Sequence, residues 1–166
     1  MLINRIPRSK PYEKAWEATE TMLQLTKRTE YGLIALTHLA THEGVQSVRS
    51  IGERYPVPRR LLAEVLKDLQ RSNLVASQRG AQGGYTLARK AEEITLSEVI
   101  AALEGHPSLA SCESLGAYTG SSCSVESVCP IKSPIHALRE SIWHSFQKIA
   151  LSDLAHWPNA ARPSSN

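Results

Sequence analysis

A chain of 166 residues is long enough to bury one good core, or one small domain with an added dimerisation element. No apolar run approaches the roughly 18 residues of a membrane span and no export-type apolar segment opens the chain, so the reading is a cytoplasmic protein with no membrane partner. The net charge of +3 hides a split: residues 23–91 carry eleven Lys/Arg against five acids (+6), residues 92–166 four against eight (−4), which favours a polyanion as the partner of the front half.

Residues 1–21, with two prolines and few large apolar side chains, read as an N-terminal extension, although Trp16 is an odd residue to leave bare. From "LTKRTEYGLIALTHLATHEG" a helix is expected with Thr26 as N-cap, Leu33, Leu36, Leu39 and Ala40 on one face, and Gly44 as its stop. "SVRSIGERYPVPRRLLAEVLKDLQRSN" then reads as a short helix to about Tyr55, a turn at Pro56 and Val57, and a longer helix with Pro58 at its first position, where a missing N–H costs nothing.

In the longer helix Leu61, Leu62, Val65, Leu66 and Leu69 recur at the spacing of one buried face, leaving Arg60, Glu64, Lys67 and Arg71 together on the other. Arg59 and Arg60 fall in the first turn, where a recognition helix presents side chains to the major groove. An ordinary amphipathic surface helix would show the same pattern, so the next segment decides. In "LVASQRGAQGGYTLARK" two β-prone runs, Leu74 to Gln78 and Tyr85 to Ala88, flank a glycine-rich tip whose glycines are expected to take positive φ. A hairpin directly after a helix-turn-helix is a wing, and Arg79 at its tip suits phosphates or a narrow minor groove.

"TLSEVIAALEG" reads as a helix capped by Thr95, with Glu98 completing a capping box and Gly105 as the stop. A cysteine segment follows, with Cys112, Cys123 and Cys129. Three thiols cannot all pair within one chain, and a reducing compartment disfavours structural disulfides, so metal ligation or redox chemistry is their leading use. A last long helix is expected from about Pro134 toward Leu151, with Ile135, Leu138, Ile142, Phe146 and Ile149 forming a seam for a second copy or for the first helix. The fold class is therefore mainly α with a small β-hairpin wing. Its parts are the extension 1–21, a winged helix-turn-helix DNA-binding domain at 22–91, a sensor loop with dimerisation helices at 92–157, and a tail at 158–166.

Four stretches, "LQLTKRTEYGLIALTHLA", "LLAEVLKDLQRSNLVASQRGAQGGYTLAR", "TLSEVIAALEG" and "LSDLAHW", resemble the Rrf-two (BadM-type) family of winged-helix transcription regulators over about residues 22–157. The wing's "RGAQGGY" is the most specific of them. The resemblance implies a homodimer of repressor type on a double-stranded DNA operator, with a long C-terminal helix crossing between subunits. In many members three cysteines between the last two helices hold an iron–sulfur cluster, of the 2Fe–2S or 4Fe–4S type; Cys112, Cys123 and Cys129 occupy that place.

The five-residue gap from Cys123 to Cys129 fits the family, whereas the ten-residue gap after Cys112 is longer than its usual first gap. Lys132 stands where the family's histidine ligand lies, and His136 is four residues further on. Some relatives use an acidic residue at the start of the other subunit's first helix, a position matched by Glu30. The expected ligand set is thus the three cysteines with Glu30 from the partner chain, His136 being the lesser candidate. Zinc or bare thiol switching is the alternative chemistry for the same cysteines. A thiol enzyme is disfavoured, since there is no Cys-x-x-Cys, no nucleotide-binding glycine loop and no base beside a cysteine. DNA contact is expected first from Arg59, Arg60 and Arg79, then from Lys67 and Arg71, with Gly80, Gln82 and Gly83 at the wing tip.

Overall fold

The computed structural model describes residues 24–80, 82–110, 124–125 and 128–156; the extension expected at 1–21 and the tail at 158–166 lie outside them. Helix α1 spans Lys27–Thr41, and its N-cap is Thr26, whose hydroxyl accepts the Thr29 N–H at 3.3 Å. It ends before the expected glycine. The Thr41 hydroxyl and the His42 ring both bond carbonyls of the last turn, to Thr37 O and His38 O at 2.9 Å, while Gly44 (φ +74°) only turns the chain onward.

Helix α2, Val48–Arg54, is capped by Ser47, and α3 runs Arg59–Arg71. Pro58 stands one position earlier than expected, as the N-cap of α3, its carbonyl accepting the Leu62 N–H at 3.0 Å. At the far end Asn73 adopts φ +56°, and the N–H groups of Asn73 and Leu74 return to Gln70 O and Leu69 O, a Schellman closure that turns the chain sharply into the next element. Leu62, Val65, Leu66 and Leu69 are fully buried against Ala35, Leu36 and Ile51. Burying side chains of this size contributes about 1.5–3 kcal/mol each.

Strands β1 (Val75–Gln78) and β2 (Gly84–Leu87) pair antiparallel, with Val75 opposite Leu87 and Gln78 opposite Gly84. Gln46, in the α1–α2 connection, exchanges backbone bonds with Tyr85 at 2.9 and 2.8 Å, which ties the hairpin to the head. A 3-10 turn at Ala91–Glu93 leads to α4, Leu96–Leu103.

The expected capping box of α4 is formed: Thr95 accepts the Glu98 N–H, and the Glu98 carboxylate accepts the Thr95 N–H at 2.8 Å. Gly32 lets α1 and α4 approach closely, since a Cβ there would meet Leu103 Cδ1 at 2.5 Å.

Helix α5 spans Lys132–Gln147, starting two residues earlier and stopping earlier than its apolar spacing suggests. The cause is non-local. Leu96 N–H bonds Ile149 O at 2.9 Å and Leu151 N–H bonds Ile94 O at 2.8 Å, so the backbone around Ala150 is extended against Thr95 and cannot continue a helix. A short helix α6, Leu151–Ala155, then packs on α1 and places Leu151 in the core. No residue of α5 is buried, and Leu138 is 51% exposed. Among the described residues no helix is long and apolar enough to cross a membrane.

Burial raises the Glu98 carboxyl pKa, but the Thr95 N–H, Arg89 and the Thr95 hydroxyl more than reverse this and hold it below the ordinary glutamate value. Its stabilising effect is therefore complete above that ordinary value and is lost as pH falls through the lowered one. Thermal midpoints followed from neutral into acid should fall less steeply in Glu98→Gln than in wild type, and Thr95→Ala should cost about 1 kcal/mol at neutral pH.

Candidate nucleic-acid interface and sensor residues

Two consecutive arginines open the free face of α3. The Arg59 side chain is 62% exposed, with its guanidinium 3.9 Å from Glu53; Glu53 in turn accepts Arg49 Nε at 2.7 Å. The hydrogen bond and charge of Arg49, with a smaller contribution from Arg59, hold the Glu53 carboxyl below its usual range, so it stays ionised near neutrality. The Arg60 side chain is almost fully exposed, its Nε 3.3 Å from a Glu64 oxygen. Lys67 and Arg71 continue the same exposed face, as the sequence spacing predicts.

Asp68 behaves differently from its neighbours. It accepts Arg71 Nη1 at 2.8 Å and also pairs with Arg28 of α1, which pins α3 to the helix behind it. The sequence carries no sign of this contact, because partners forty residues apart leave no periodic trace.

At the wing Arg79 is exposed beside Gly80, whose φ of +119° is the one expected left-handed position realised among the described tip residues. Gly83 and Gly84 depart from that expectation: neither has positive φ, and both are required by crowding instead. A Cβ on Gly83 would lie 2.5 Å from Gln78 O, and one on Gly84 would lie 2.4 Å from Gln46 O. Gln82 is exposed, and the Gly83 N–H closes the turn onto Gly80 O at 3.0 Å.

Beneath the Gln46–Tyr85 bridge sits His38, 4% exposed, its Nε2 3.4 Å from Gln46 Oε1 and its ring stacked on His42 at 3.9 Å. Burial, then the charges of His42 and Arg54, lower its pKa and favour the neutral ring as a packing group.

The expected metal ligands are placed only in part. Cys129 is half-buried, three residues before α5; Cys112 and Cys123 lie outside the described residues. Glu30 stands in the first turn of α1, where Lys27 Nζ bonds it at 2.6 Å and a third of its side chain is exposed. The N-cap of that turn is in addition held by Glu104 at the end of α4, which accepts the Thr26 N–H and hydroxyl at 3.0 and 2.8 Å. His136, in the first turns of α5, is more than half exposed and lies 4.0 Å from Glu140.

A helix pair presenting two arginines, closed by a tethered hairpin, is a winged-helix head. The profile of the family described as Rrf2, iron-dependent transcriptional regulator, matches residues 25–157. The chain belongs to the Rrf2 family. The Synechocystis protein slr0846, assigned as an HTH-type transcriptional regulator, is 38% identical over 84 residues, and the match spans 49% of this chain and 57% of that protein. Among solved structures CymR of B. subtilis, described as the global cysteine regulator, superposes with a TM-score of 0.65 at 26% identity, covering 82% of this chain and 99% of CymR. IscR of T. potens gives 0.62 at 31%, covering 84% and 93%. This Rrf2 chain is thus a transcriptional regulator with a DNA-binding fold, and not an enzyme.

The tether predicts a sharp substitution effect. Gly84→Ala forces its methyl into the Gln46 carbonyl, so the bridge to Tyr85 should open at a cost of about 1–3 kcal/mol. Chemical denaturation reads the loss, and faster amide exchange at Tyr85 locates it.

Proposed function

We propose that the protein is a homodimeric, cytoplasmic regulator of repressor type that grips a double-stranded operator through α3 and the wing, under the control of an iron–sulfur cluster. The observation that carries the DNA reading is the first turn of α3, where Arg59 and Arg60 stand exposed on a helix whose opposite face is locked in the core. In this reading Arg60 contacts a guanine edge, and Arg59, Lys67, Arg71 and Arg79, with the backbone at Gly80, Gln82 and Gly83, position the duplex.

Homodimerisation rests on α5. Of its stripe Ile135, Leu138, Ile142 and Phe146, at intervals of three and four, Leu138 is exposed and the other three are only half-buried beside α4, and a second copy supplies the same stripe to cover them.

The donor set suits a cluster. Cys112, Cys123 and Cys129 offer soft thiolates from one segment, and the partner's Glu30 offers a partly exposed carboxylate for the remaining position. When bound, the cluster would supply an iron whose oxygen ligand exchanges more readily than thiolate. The chain's own part is mechanical: Cys129 lies three residues before α5, and Glu30 lies two residues after Arg28, whose pairing with Asp68 reaches the reading helix. Ligation at either end therefore biases the arrangement of the two heads, and affinity changes only by the difference it makes between arrangements.

The likeness to a cysteine regulator, CymR, and the long gap after Cys112 favour a second reading, in which the thiols switch without iron or hold zinc.

Anaerobic purification followed by iron and sulfide assay separates the two. A brown protein containing both elements supports the cluster; a colourless one, with or without zinc, supports the alternative. Cys129→Ser should abolish the chromophore, and Glu30→Ala should alter its spectrum. Arg60→Ala should weaken binding to a promoter duplex by about 1–3 kcal/mol. Leu138→Asp should give a monomer in sedimentation, with duplex affinity greatly reduced because the two half-sites are no longer held together.

A further inference from the structure

The reading face of α3 carries one carboxylate that a phosphate backbone can only repel. Glu64 lies one turn after Arg60 and three residues before Lys67, about half exposed. Duplex DNA bears a negative charge per about 1.7 Å of its axis, so a carboxylate lowered into the major groove raises the energy of every non-specific encounter. Such a residue needs a compensating role.

A structural role does not supply it. The other acid of α3, Asp68, is committed to Arg28 and Arg71 and is only 19% exposed. The contact of Glu64 is instead with Arg60, on the same exposed surface at 3.3 Å. An exposed helical pair of this spacing is worth about 0.3–0.5 kcal/mol, and with the base N-terminal to the acid it has the less favourable order. Both side chains can leave one another for a base edge at little cost.

We infer that Glu64 is a specificity-determining residue: its carboxylate accepts a hydrogen bond from the exocyclic amine of cytosine, and it rejects sites that present a carbonyl oxygen at that place. Among the major-groove edges, the cytosine N4 amine is the usual partner of a glutamate, while guanine O6 and thymine O4 set acceptor against acceptor. Arg60, released from the pair, is then free for guanine O6 and N7 on a neighbouring base pair. Arg60 supplies attraction and Glu64 supplies exclusion, which together separate an operator from bulk DNA better than two cations would. This inference rests on α3 entering the major groove, as proposed above.

Full-length wild type, Glu64→Gln and Glu64→Ala, each confirmed to keep the wild-type thermal midpoint, are used to select from a pool of randomised duplexes. Each is also titrated with a duplex of unrelated sequence. Wild type should enrich cytosine at one position of each half-site, with discrimination of about tenfold. In Glu64→Ala that position alone should become degenerate, while affinity for the unrelated duplex rises several-fold. Glu64→Gln should move the preference there toward adenine, whose N6 and N7 match an amide. If both variants select the wild-type sequence at every position, the inference is wrong, whatever happens to unrelated DNA. A wild type that enriches no sequence overturns the operator reading itself, and this inference with it.

Discussion

Four side chains on one face of α3 govern what its opposite face can do. Leu62, Val65, Leu66 and Leu69 are wholly buried, and turning the helix by one residue, about 100°, would bring several of them toward water. The cost would amount to several kcal/mol at about 1.5–3 kcal/mol per side chain, more than any surface ion pair returns. The azimuth of Arg60, Glu64, Lys67 and Arg71 is therefore set by apolar burial. The Arg28–Asp68 pair adds a second contact between α1 and α3 near the end of the helix.

The same head is bound together by three short contacts between distant segments, two between backbones and one between a backbone N–H and a side chain. Gln46 meets Tyr85, Thr95 meets Ala150, and Thr26 meets the Glu104 side chain. The first fixes the wing to the turn before α2. The second brings the chain after α5 back beneath α1, and the third ties the start of α1 to the end of α4. Helix α5 thus runs from a cysteine at one end to an anchored extended segment at the other. The far end of that helix is thereby fastened to the head through Ile94, Leu96, Ile149 and Leu151.

Much of this was legible in local patterns. The apolar spacing of α3, the Thr26 and Thr95 caps and the paired β-prone runs each depend on neighbours a few residues away, and each formed at its expected place. Elements set by distant partners were not legible. The stripe of α5 continues in sequence through Ile149 with no proline or glycine to break it, yet pairing with residues 94–96 stops the helix at Gln147. The glycine-rich wing suggests positive φ at each glycine, whereas two of the three answer to crowding by Gln78 and Gln46, one of these almost forty residues away. The candidate site divides in the same way. The arginines of the reading face follow from helical phase, while the Arg28–Asp68 clasp depends on how α1 crosses α3. The cysteines declare their chemistry by type, but whether Glu30 joins them depends on a contact between two chains.

The burial of Leu151 has a practical corollary for anyone dissecting the protein. A fragment cut after the hairpin would keep Arg59, Arg60, Arg71 and Arg79, yet lose Ile94, Val99 and Leu151 from the packed interior. The apolar surface uncovered on α1 would be contiguous, and such surfaces drive self-association. The helix-turn-helix head and the C-terminal elements share one core, so an excised head is expected to precipitate.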